Sequence, residues 1–382
     1  MLYICNGKIL KDNQIIEGKA IVFSDKIEQI VDINSDVLNG LEKIDANGQF
    51  ICAGFIDTHI HGYDKVDTMD GNENAIYTMA DGVIKNGVTS FLPTTMSMSM
   101  ESIKTALDMV RIAKSNQTSG AHILGVHMEG PYFNSIYKGA QNPQFIISPT
   151  KCDIDFVLSY KDVIKIITIA PEIEGAIEFI EAVSPEIAIS IGHSGATFEQ
   201  AKAGIDAGAC HVTHLFNGMT PLHHREPGVV GAAFATDISC EVICDEIHIH
   251  PGLFEFLVKV KGEQKLVLVT DCMRAGGCID GQYDLGGQAV NVQDGVARLD
   301  NGALAGSVLT MNKALFNILN NTLVPIEKAI DYVTINPAKL IGVDGFKGTL
   351  DIGKDADIIV FNDNIEIDIA IVCGKVKRSP HF

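Results

Sequence analysis

The sequence has few positive charges to balance its negative ones. Of its 382 residues, 48 are Asp or Glu and 29 are Lys or Arg, giving a formal net charge of −19 at pH 7 and an isoelectric point near 4.9. Binding to nucleic acid or to an anionic membrane requires a basic surface, so this balance argues against both partners. An anionic small-molecule substrate would need a local positive site.

Long apolar runs are also missing. No stretch reaches about 18 uninterrupted apolar residues, the length that indicates a membrane-spanning helix. The first residues, MLYICNGKILKDN, lack the basic start and apolar core of a secretory signal. Both absences favour a cytoplasmic location.

Paired cysteines are missing as well. The nine cysteines form no CxxC pair and are odd in number; they stand at positions 5, 52, 152, 210, 240, 244, 272, 278 and 373. A chain of this length does not need disulfides to fold. We expect reduced, mostly buried thiols.

Hydrophobic residues make up 46% of the chain, enough for a large core. Near both ends, short alternating apolar runs are separated by turn pairs such as Asn-Gly and Ser-Asp, which predict β-hairpins. We expect residues 1–50 and 346–382 to form one small β-sandwich domain beside a central domain at 51–345.

The central segment alternates eight short apolar runs with segments of helical period. The runs are FIDTHIH, TSFLPTT, HILGVHME, IKIITIAPE, IAISIGHS, HVTHLFN, EVICDEIH and KLVLVTD. This pattern predicts an α/β fold, a (β/α)8 TIM barrel. A doubly wound open sheet alternates similarly, but the Gly-rich phosphate loop after its first strand is absent. Residues 277–300, rich in Gly and Asp, predict a β-hairpin excursion after the eighth strand.

Six of the eight runs end on a residue that can bind a metal or move a proton. These residues are His59 and His61, Glu129, His193, His214, His248 and Asp271. In a barrel, the carboxyl ends of all strands face the mouth where barrel enzymes have their active sites. Imidazole and carboxylate suit zinc, iron, manganese or cobalt, so the sequence predicts an open metal site of hydrolytic type.

Each of these residues also has a structural alternative. A lone histidine at a strand end is more often a hydrogen-bonded structural residue than a ligand, and Glu129 or Asp271 could cap a helix or loop. All the alternatives would have to hold at once while every residue falls at the same end of its strand. The joint pattern therefore favours a metal site.

The same residues resemble a known group of proteins. HxH on the first strand, His on the fifth and sixth and Asp on the eighth resemble the amidohydrolase superfamily of metal-dependent barrels. HMEGP, THLFNGM and HHREPG resemble, more narrowly, its family of N-acetylglucosamine-6-phosphate deacetylases, and matching segments cover nearly the whole chain in order. The resemblance implies hydrolysis of the N-acetyl group of N-acetyl-D-glucosamine 6-phosphate to D-glucosamine 6-phosphate and acetate, in amino-sugar catabolism and cell-wall sugar recycling.

The resemblance also implies roles for the site residues. Glu129, His193 and His214 would hold one divalent metal, and His59 and His61 are available for a second metal that Glu129 could bridge. Relatives without the HxH pair use one metal, so the number stays open at one or two per subunit. Asp271 would be catalytic: it would take a proton from the attacking water and give it to the departing amine.

On the substrate side, His248 matches a family histidine that contacts the sugar. Asn217 and Gly218 would lie near the phosphate, and Arg225 would supply positive charge because a guanidinium matches phosphate geometry. In similar dimers this arginine can come from the neighbouring subunit, so we expect a homodimer. Gln141 stands where many relatives have His, and it could still donate a hydrogen bond to the carbonyl oxygen.

Some points stay open in the sequence. Cys272 follows Asp271 where the family usually has a small apolar residue, and it is either a packed side chain or a thiol at the metal site. The substrate could be the galactosamine epimer. Other amidohydrolase reactions need no phosphate site, which NGM and HHREPG argue against, and a barrel without activity would not keep every hydrolytic position filled.

Overall fold

The computed structural model describes residues 1–378, so the last four residues of the predicted 346–382 segment lie outside the described residues. The strands are β1 (Leu2–Cys5), β2 (Lys8–Lys11), β3 (Gln14–Ile16), β4 (Lys19–Phe23), β5 (Ile27–Asp32), β6 (Glu42–Asp45), β7 (Phe50–Ala53), β8 (Phe55–Ile60), β9 (Gly62–Tyr63), β10 (Val66–Asp67), β11 (Val88–Pro93), β12 (His122–Ile123), β13 (Val126–Glu129), β14 (Ile164–Ile169), β15 (Ala188–Ile191), β16 (His211–Val212), β17 (Ser239–Ile243), β18 (Leu266–Val269), β19 (Gly281–Leu285), β20 (Gln288–Gln293), β21 (Val296–Leu299), β22 (Ile358–Phe361), β23 (Ile367–Val372) and β24 (Lys375–Arg378). The α-helices are α1 (Glu73–Val83), α2 (Met100–Asn116), α3 (Lys151–Ser159), α4 (Ala176–Val183), α5 (Phe198–Asp206), α6 (Gly228–Ala235), α7 (Phe254–Lys261), α8 (Met311–Asn321), α9 (Ile326–Ala329) and α10 (Ile335–Leu340).

The eight predicted runs form the wall of a barrel. β13 to β18 pair in chain order as a parallel sheet, and β8, β11 and β12 form a second parallel sheet. Parallel bridges from Ile60 to Cys272 and from Thr94 to His127 join the two sheets at both sides. The prediction of an α/β TIM barrel is confirmed, with the third run divided into β12 and β13.

Both ends of the chain contribute to a β-sandwich beside the barrel. One sheet has the order β5-β4-β1-β6, and the other has the order β24-β23-β22-β7-β2-β3. Cys52 on β7 lies opposite Ile359 on β22, so strands from distant parts of the sequence pair directly. Buried side chains of both sheets, among them Ile4, Ile21 and Ile358, share one core. The predicted sandwich is therefore present, and β8 starts just after β7.

Residues 277–300, predicted as a hairpin excursion, contain the three antiparallel strands β19, β20 and β21. Their apolar side chains, including Leu285 and Val290, pack against Met96 and Met273 near the carboxyl ends of the barrel strands. The excursion thus forms part of the wall above the barrel mouth.

All nine cysteines lie within the described residues, and all are free thiols. Five are buried, at positions 5, 52, 240, 244 and 272. Among residues 1–378, no helix is both long and apolar enough to cross a membrane.

Candidate active site

Polar side chains from several strands meet at the carboxyl-terminal mouth of the barrel, around a cavity of about 230 Å³. Most of the predicted site residues line it, namely His61, Glu129, Gln141, His193, His214, Asn217, Gly218, His248 and Asp271. His59 is fully buried and contacts this group from within the barrel. The strand ends therefore converge as the barrel prediction requires.

The first group of ligand atoms surrounds one carboxylate oxygen. Oε1 of Glu129 lies 3.1 Å from Nε2 of His193 and 3.0 Å from Nε2 of His214. The two Nε2 atoms are 3.1 Å apart. Ligand atoms of these three residues all lie within 4.8 Å of one another.

A second group adjoins the first across Glu129. Nε2 of His59 is 3.3 Å from Nε2 of His61, which lies 3.2 Å from Oδ1 of Asp271. These residues also have ligand atoms within 4.8 Å of one another. Oε2 of Glu129 is 3.4 Å from Nε2 of His61, so the Glu129 carboxylate stands between the two groups.

Each of the four histidines has a hydrogen-bond acceptor at its outer ring nitrogen. The Nδ1 contacts are His59 to Oε2 of Glu241 at 2.9 Å, His61 to the Thr94 carbonyl at 3.3 Å, His193 to the Tyr137 carbonyl at 3.0 Å and His214 to the Asn217 carbonyl at 3.1 Å. Carbonyl and ionised carboxylate oxygens only accept, so Nδ1 donates in each case. In the neutral imidazole, the Nε2 lone pair then points at the neighbouring Nε2 and carboxylate atoms.

Facing lone pairs repel one another unless a cation lies among them. Neutral imidazole nitrogens and carboxylate oxygens, with their outer nitrogens fixed by acceptors, form the usual donor set of a divalent transition metal. The residues therefore fit a metal centre, and Glu129 could contribute one oxygen to each of two ions.

The electrostatics of the cluster point the same way. Burial opposes ionisation of Glu129, yet His59 and His193 hold its pKa well below the usual value. Burial likewise opposes the charge of Asp271, but His59 and His61 lower its pKa. His59 is buried too, and Glu241 and Asp271 raise its pKa to about 9, so without a cation in the mouth its ring is protonated and a metal would displace the Nε2 proton. The carboxylates are thus ionised and make the mouth attractive to cations.

Three site residues have a left-handed backbone conformation that non-glycine residues rarely adopt. The φ angles are 46° at His193, 28° at His214 and 48° at Asp271. Such conformations cost free energy and are often found at functional sites. They occur where the chain turns out of its strand and direct these side chains into the mouth.

Two predicted substrate contacts lie in the cavity with their own partners. Gln141 donates from Nε2 to Oε2 of Glu129 at 2.6 Å. Nδ1 of His248 lies 2.6 Å from Oδ2 of Asp245, which leaves its Nε2 for other contacts. Both side chains are therefore oriented before any substrate binds.

The predicted phosphate contacts divide into two groups. Asn217 and Gly218 line the cavity, and Gly218 has a φ of +60° with its Cα so close to His193 that a Cβ would lie 2.9 Å from Nδ1 of that ring. Arg225 does not line the cavity; it lies on an exposed segment, with Nη1 2.9 Å from Nε2 of His224. It is the predicted site residue that a single chain does not bring to the cluster.

Cys272 is fully buried, and its thiol faces the Met273 carbonyl at 3.4 Å. Burial raises its pKa well above the usual value, so the thiol stays protonated. Among the described residues, no group of converging ligand atoms includes it.

Sequence reasoning missed two buried carboxylates behind the histidines. Glu241, within β17, accepts the hydrogen bond from His59, and Asp57, within β8, accepts one from Thr270 Oγ1 at 2.6 Å. Both are fully buried. The available signal was a charged residue inside an apolar strand, in CEVIC and FIDTH, because a buried charge requires a partner.

The chain is similar to known proteins over most of its length. The amidohydrolase family matches residues 50–377. An N-acetylglucosamine-6-phosphate deacetylase of Lysinibacillus sphaericus is 38% identical over 344 residues, 88% of this chain and 88% of its own. An N-acetylgalactosamine-6-phosphate deacetylase of Escherichia coli O157:H7 is 35% identical over 86% of this chain and 88% of its own.

The fold agrees with these matches. The crystal structure of N-acetylglucosamine-6-phosphate deacetylase from Pasteurella multocida superposes with a TM-score of 0.94 at 33% identity, covering 99% of this chain and 100% of that one. The resemblance predicted from the sequence is confirmed. The chain belongs to the amidohydrolase family and, within it, to the group formed by these sugar-phosphate deacetylases.

Proposed function

We propose that this chain is a metal-dependent deacetylase that hydrolyses the N-acetyl group of N-acetyl-D-glucosamine 6-phosphate to D-glucosamine 6-phosphate and acetate. The observation that carries the proposal is the convergence of four histidine Nε2 atoms on Glu129 and Asp271 at the cavity floor. Relatives named for this reaction support the choice of substrate.

Glu129, His193 and His214 would hold one divalent metal, and His59 and His61 would hold a second, which Glu129 could also bind. Zinc, iron, manganese and cobalt are all compatible with these ligands. When bound, the metal supplies Lewis acidity, polarising the carbonyl and lowering the pKa of water. The ionised carboxylates at this mouth would offset the charge of the ions.

Asp271 would then act as base and acid in turn. Its carboxylate lies at the cavity wall and is ionised, so it can accept a proton from the attacking water. The same proton then passes to the amide nitrogen as its bond to the acetyl carbon breaks, so that the amino sugar leaves as a neutral amine and the acetyl group leaves with the oxygen of the water. Gln141 would donate a hydrogen bond to the acetyl carbonyl, and His248 would hold a sugar hydroxyl through Nε2.

We further propose a homodimer in which Arg225 reaches the phosphate in the neighbouring subunit, near that subunit's Asn217 and Gly218. Leu222, three residues before Arg225, and Leu253, Phe256 and Val260, in or next to α7, have side chains that are 39–44% exposed. These apolar side chains are candidates for burial between two subunits.

A cytoplasmic location fits the nine free thiols. The proposed catalytic domain is 51–345, and the proposed sandwich domain is 1–50 with 346–382.

The test is to purify the protein without added metal, measure its metal content by elemental analysis and assay acetate release. We expect bound divalent metal and turnover of N-acetyl-D-glucosamine 6-phosphate. A protein that holds no metal and releases no acetate from either sugar phosphate would refute the proposal. Faster turnover of the galactosamine epimer would instead support the second candidate, which the Escherichia coli relative favours.

A further inference from the structure

Glu241 occupies the centre of a buried hydrogen-bond network that the proposed reaction does not use. It is fully buried in β17. Its Oε2 accepts from Nδ1 of His59 at 2.9 Å and from the backbone N–H of His214 at 3.1 Å. Its Oε1 lies 3.4 Å from Nε2 of His211, whose Nδ1 is 2.7 Å from Oγ of Ser239.

This carboxylate is an anion with no permanent cation beside it. Within residues 1–378, no Lys or Arg lies within 4.0 Å of Glu241; its charged neighbours there are histidines. A buried charge is costly unless it is paired and hydrogen-bonded. A cation held at the far side of the His59 ring, where Nε2 meets His61 and Asp271, would offset this charge.

The other neighbours of His59 do not fix its ring nitrogens. Asp57 accepts from the backbone N–H of His59 at 3.2 Å, and His127 packs edge-on with its ring centre 4.6 Å away. Among the described residues, only Glu241 accepts a hydrogen bond from Nδ1 of His59. The tautomer of this imidazole therefore depends on one side chain.

We propose that Glu241 is a positioning residue that enables His59 and His61 to hold the second metal, beside Asp271. It keeps the proton of His59 on Nδ1, directs the Nε2 lone pair into the mouth and makes the ring a stronger base. Through the backbone N–H of His214, the same oxygen also holds the turn that presents a ligand of the other group. The inference rests on the proposed metal centre and explains why a carboxylate stands inside this strand.

The experiment titrates metal-free protein with Mn²⁺ by calorimetry and follows the binding by electron paramagnetic resonance. We expect two ions in the wild type. In E241L, the affinity of the ion at His59 and His61 falls about 10- to 100-fold, as for other losses of a carboxylate behind a ligating histidine. The affinity of the other ion falls less, because there only the backbone N–H of His214 loses its acceptor. In E241Q, the loss is smaller, because the amide oxygen still accepts from Nδ1 but carries no charge.

A matched control is S190A. Oγ of Ser190 is buried in the same barrel interior and contacts Oγ1 of Thr213 at 2.5 Å, without contact to the histidine ligands. We expect S190A to bind both ions with wild-type affinity. Excess Mn²⁺ restores kcat in E241Q, which it would not do if the substitution only loosened the barrel.

The outcomes separate the two proposals. If the wild type binds no metal, the proposed function fails. If the wild type binds two ions and both Glu241 variants match it, only the role of Glu241 is refuted. Binding of a single ion by the wild type also refutes that role and leaves the deacetylase proposal standing. Should E241L not fold, E241Q decides: wild-type affinity for both ions refutes the role of Glu241.

Discussion

At the scale of single residues, the site is built by fixing one nitrogen of each histidine so that the other is free. Three of the four outer nitrogens donate to backbone carbonyls, which move only with the barrel itself. His59 alone relies on a side chain, Glu241. Of the proposed ligands, the rigid ones therefore belong mainly to the group around Glu129, and the adjustable one, His59, belongs to the HxH pair.

The Asp271→Asn variant tests the proposed base and acid. The amide has nearly the same shape but cannot accept and return a proton, so we expect kcat to fall about 10²- to 10⁴-fold. Elemental analysis should still find metal, because Glu129, His193 and His214 are unchanged. Turnover near the wild-type rate with normal metal content would show that another group moves the proton.

The sequence was informative about residues that end strands and uninformative about residues inside them. His193, His214 and Asp271 stand out because a polar group follows an apolar run. Glu241 stands within such a run, and an inward-facing position in a barrel strand cannot be recognised without the register of its neighbours. The position of Arg225 away from its own chain's cavity could not be predicted, because no sequence pattern states which subunit an exposed side chain serves.

At the scale of elements, the barrel strands were predictable because their apolar runs are separated by helical segments. The break that divides the third run into β12 and β13 could not be predicted. A Cβ at Gly125 would lie 2.3 Å from the Val163 carbonyl oxygen, so only glycine allows β13 to approach the start of β14. Such a close approach depends on a partner about 40 residues away, which local pattern analysis does not include.

The turn Ile330–Val333, between α9 and α10, carries a pH-dependent penalty. Burial raises the pKa of Asp331 from 3.8 to about 6, only partly opposed by Lys339. The folded protein then binds more protons than the unfolded chain between pH of about 4 and 6. Stability therefore falls as pH rises through this window, and the loss persists above it.

Asp331→Asn should remove this penalty, since the amide carries no charge to desolvate. We expect the free energy of unfolding to rise by about 1–2 kcal/mol at pH 7.5, less than the full shift implies because the side chain is partly exposed. Urea unfolding at pH 4 and 7.5 provides the comparison. An equal gain at both pH values would mean that the carboxyl pKa is not the cause.

At the scale of the whole molecule, the proposed dimer makes each site depend on two chains. Leu222, Phe256 and Val260 would be covered at the interface, and Arg225 would reach the neighbouring cavity. A local guanidinium is what a phosphorylated sugar requires in a protein with a net charge of −19. Sedimentation analysis should find a dimer.

Arg225→Ala should raise KM about 10- to 100-fold with a smaller effect on kcat, because a charge-assisted hydrogen bond to the phosphate is lost.

Mixing two variant subunits then tests whether Arg225 acts in the site of the neighbouring subunit. In a heterodimer of R225A with D271N, one site would have both residues, so an equal mixture should regain about a quarter of wild-type activity at low substrate. No recovery in mixtures verified to contain heterodimers would place Arg225 in its own subunit's site.

The pairing of β7 with β22 also determines when β7 can gain its second partner strand during translation. β22 leaves the ribosome about 300 residues after β7, roughly 15–60 s later at about 5–20 residues per second. Until then, one edge of β7 has no partner, and an open strand edge readily associates with other chains. Because β8, with His59, follows β7 directly, the nascent chain exposes this edge beside the first of the proposed metal ligands. We therefore expect its yield in cells to depend on chaperones that shield the growing chain until β22 emerges.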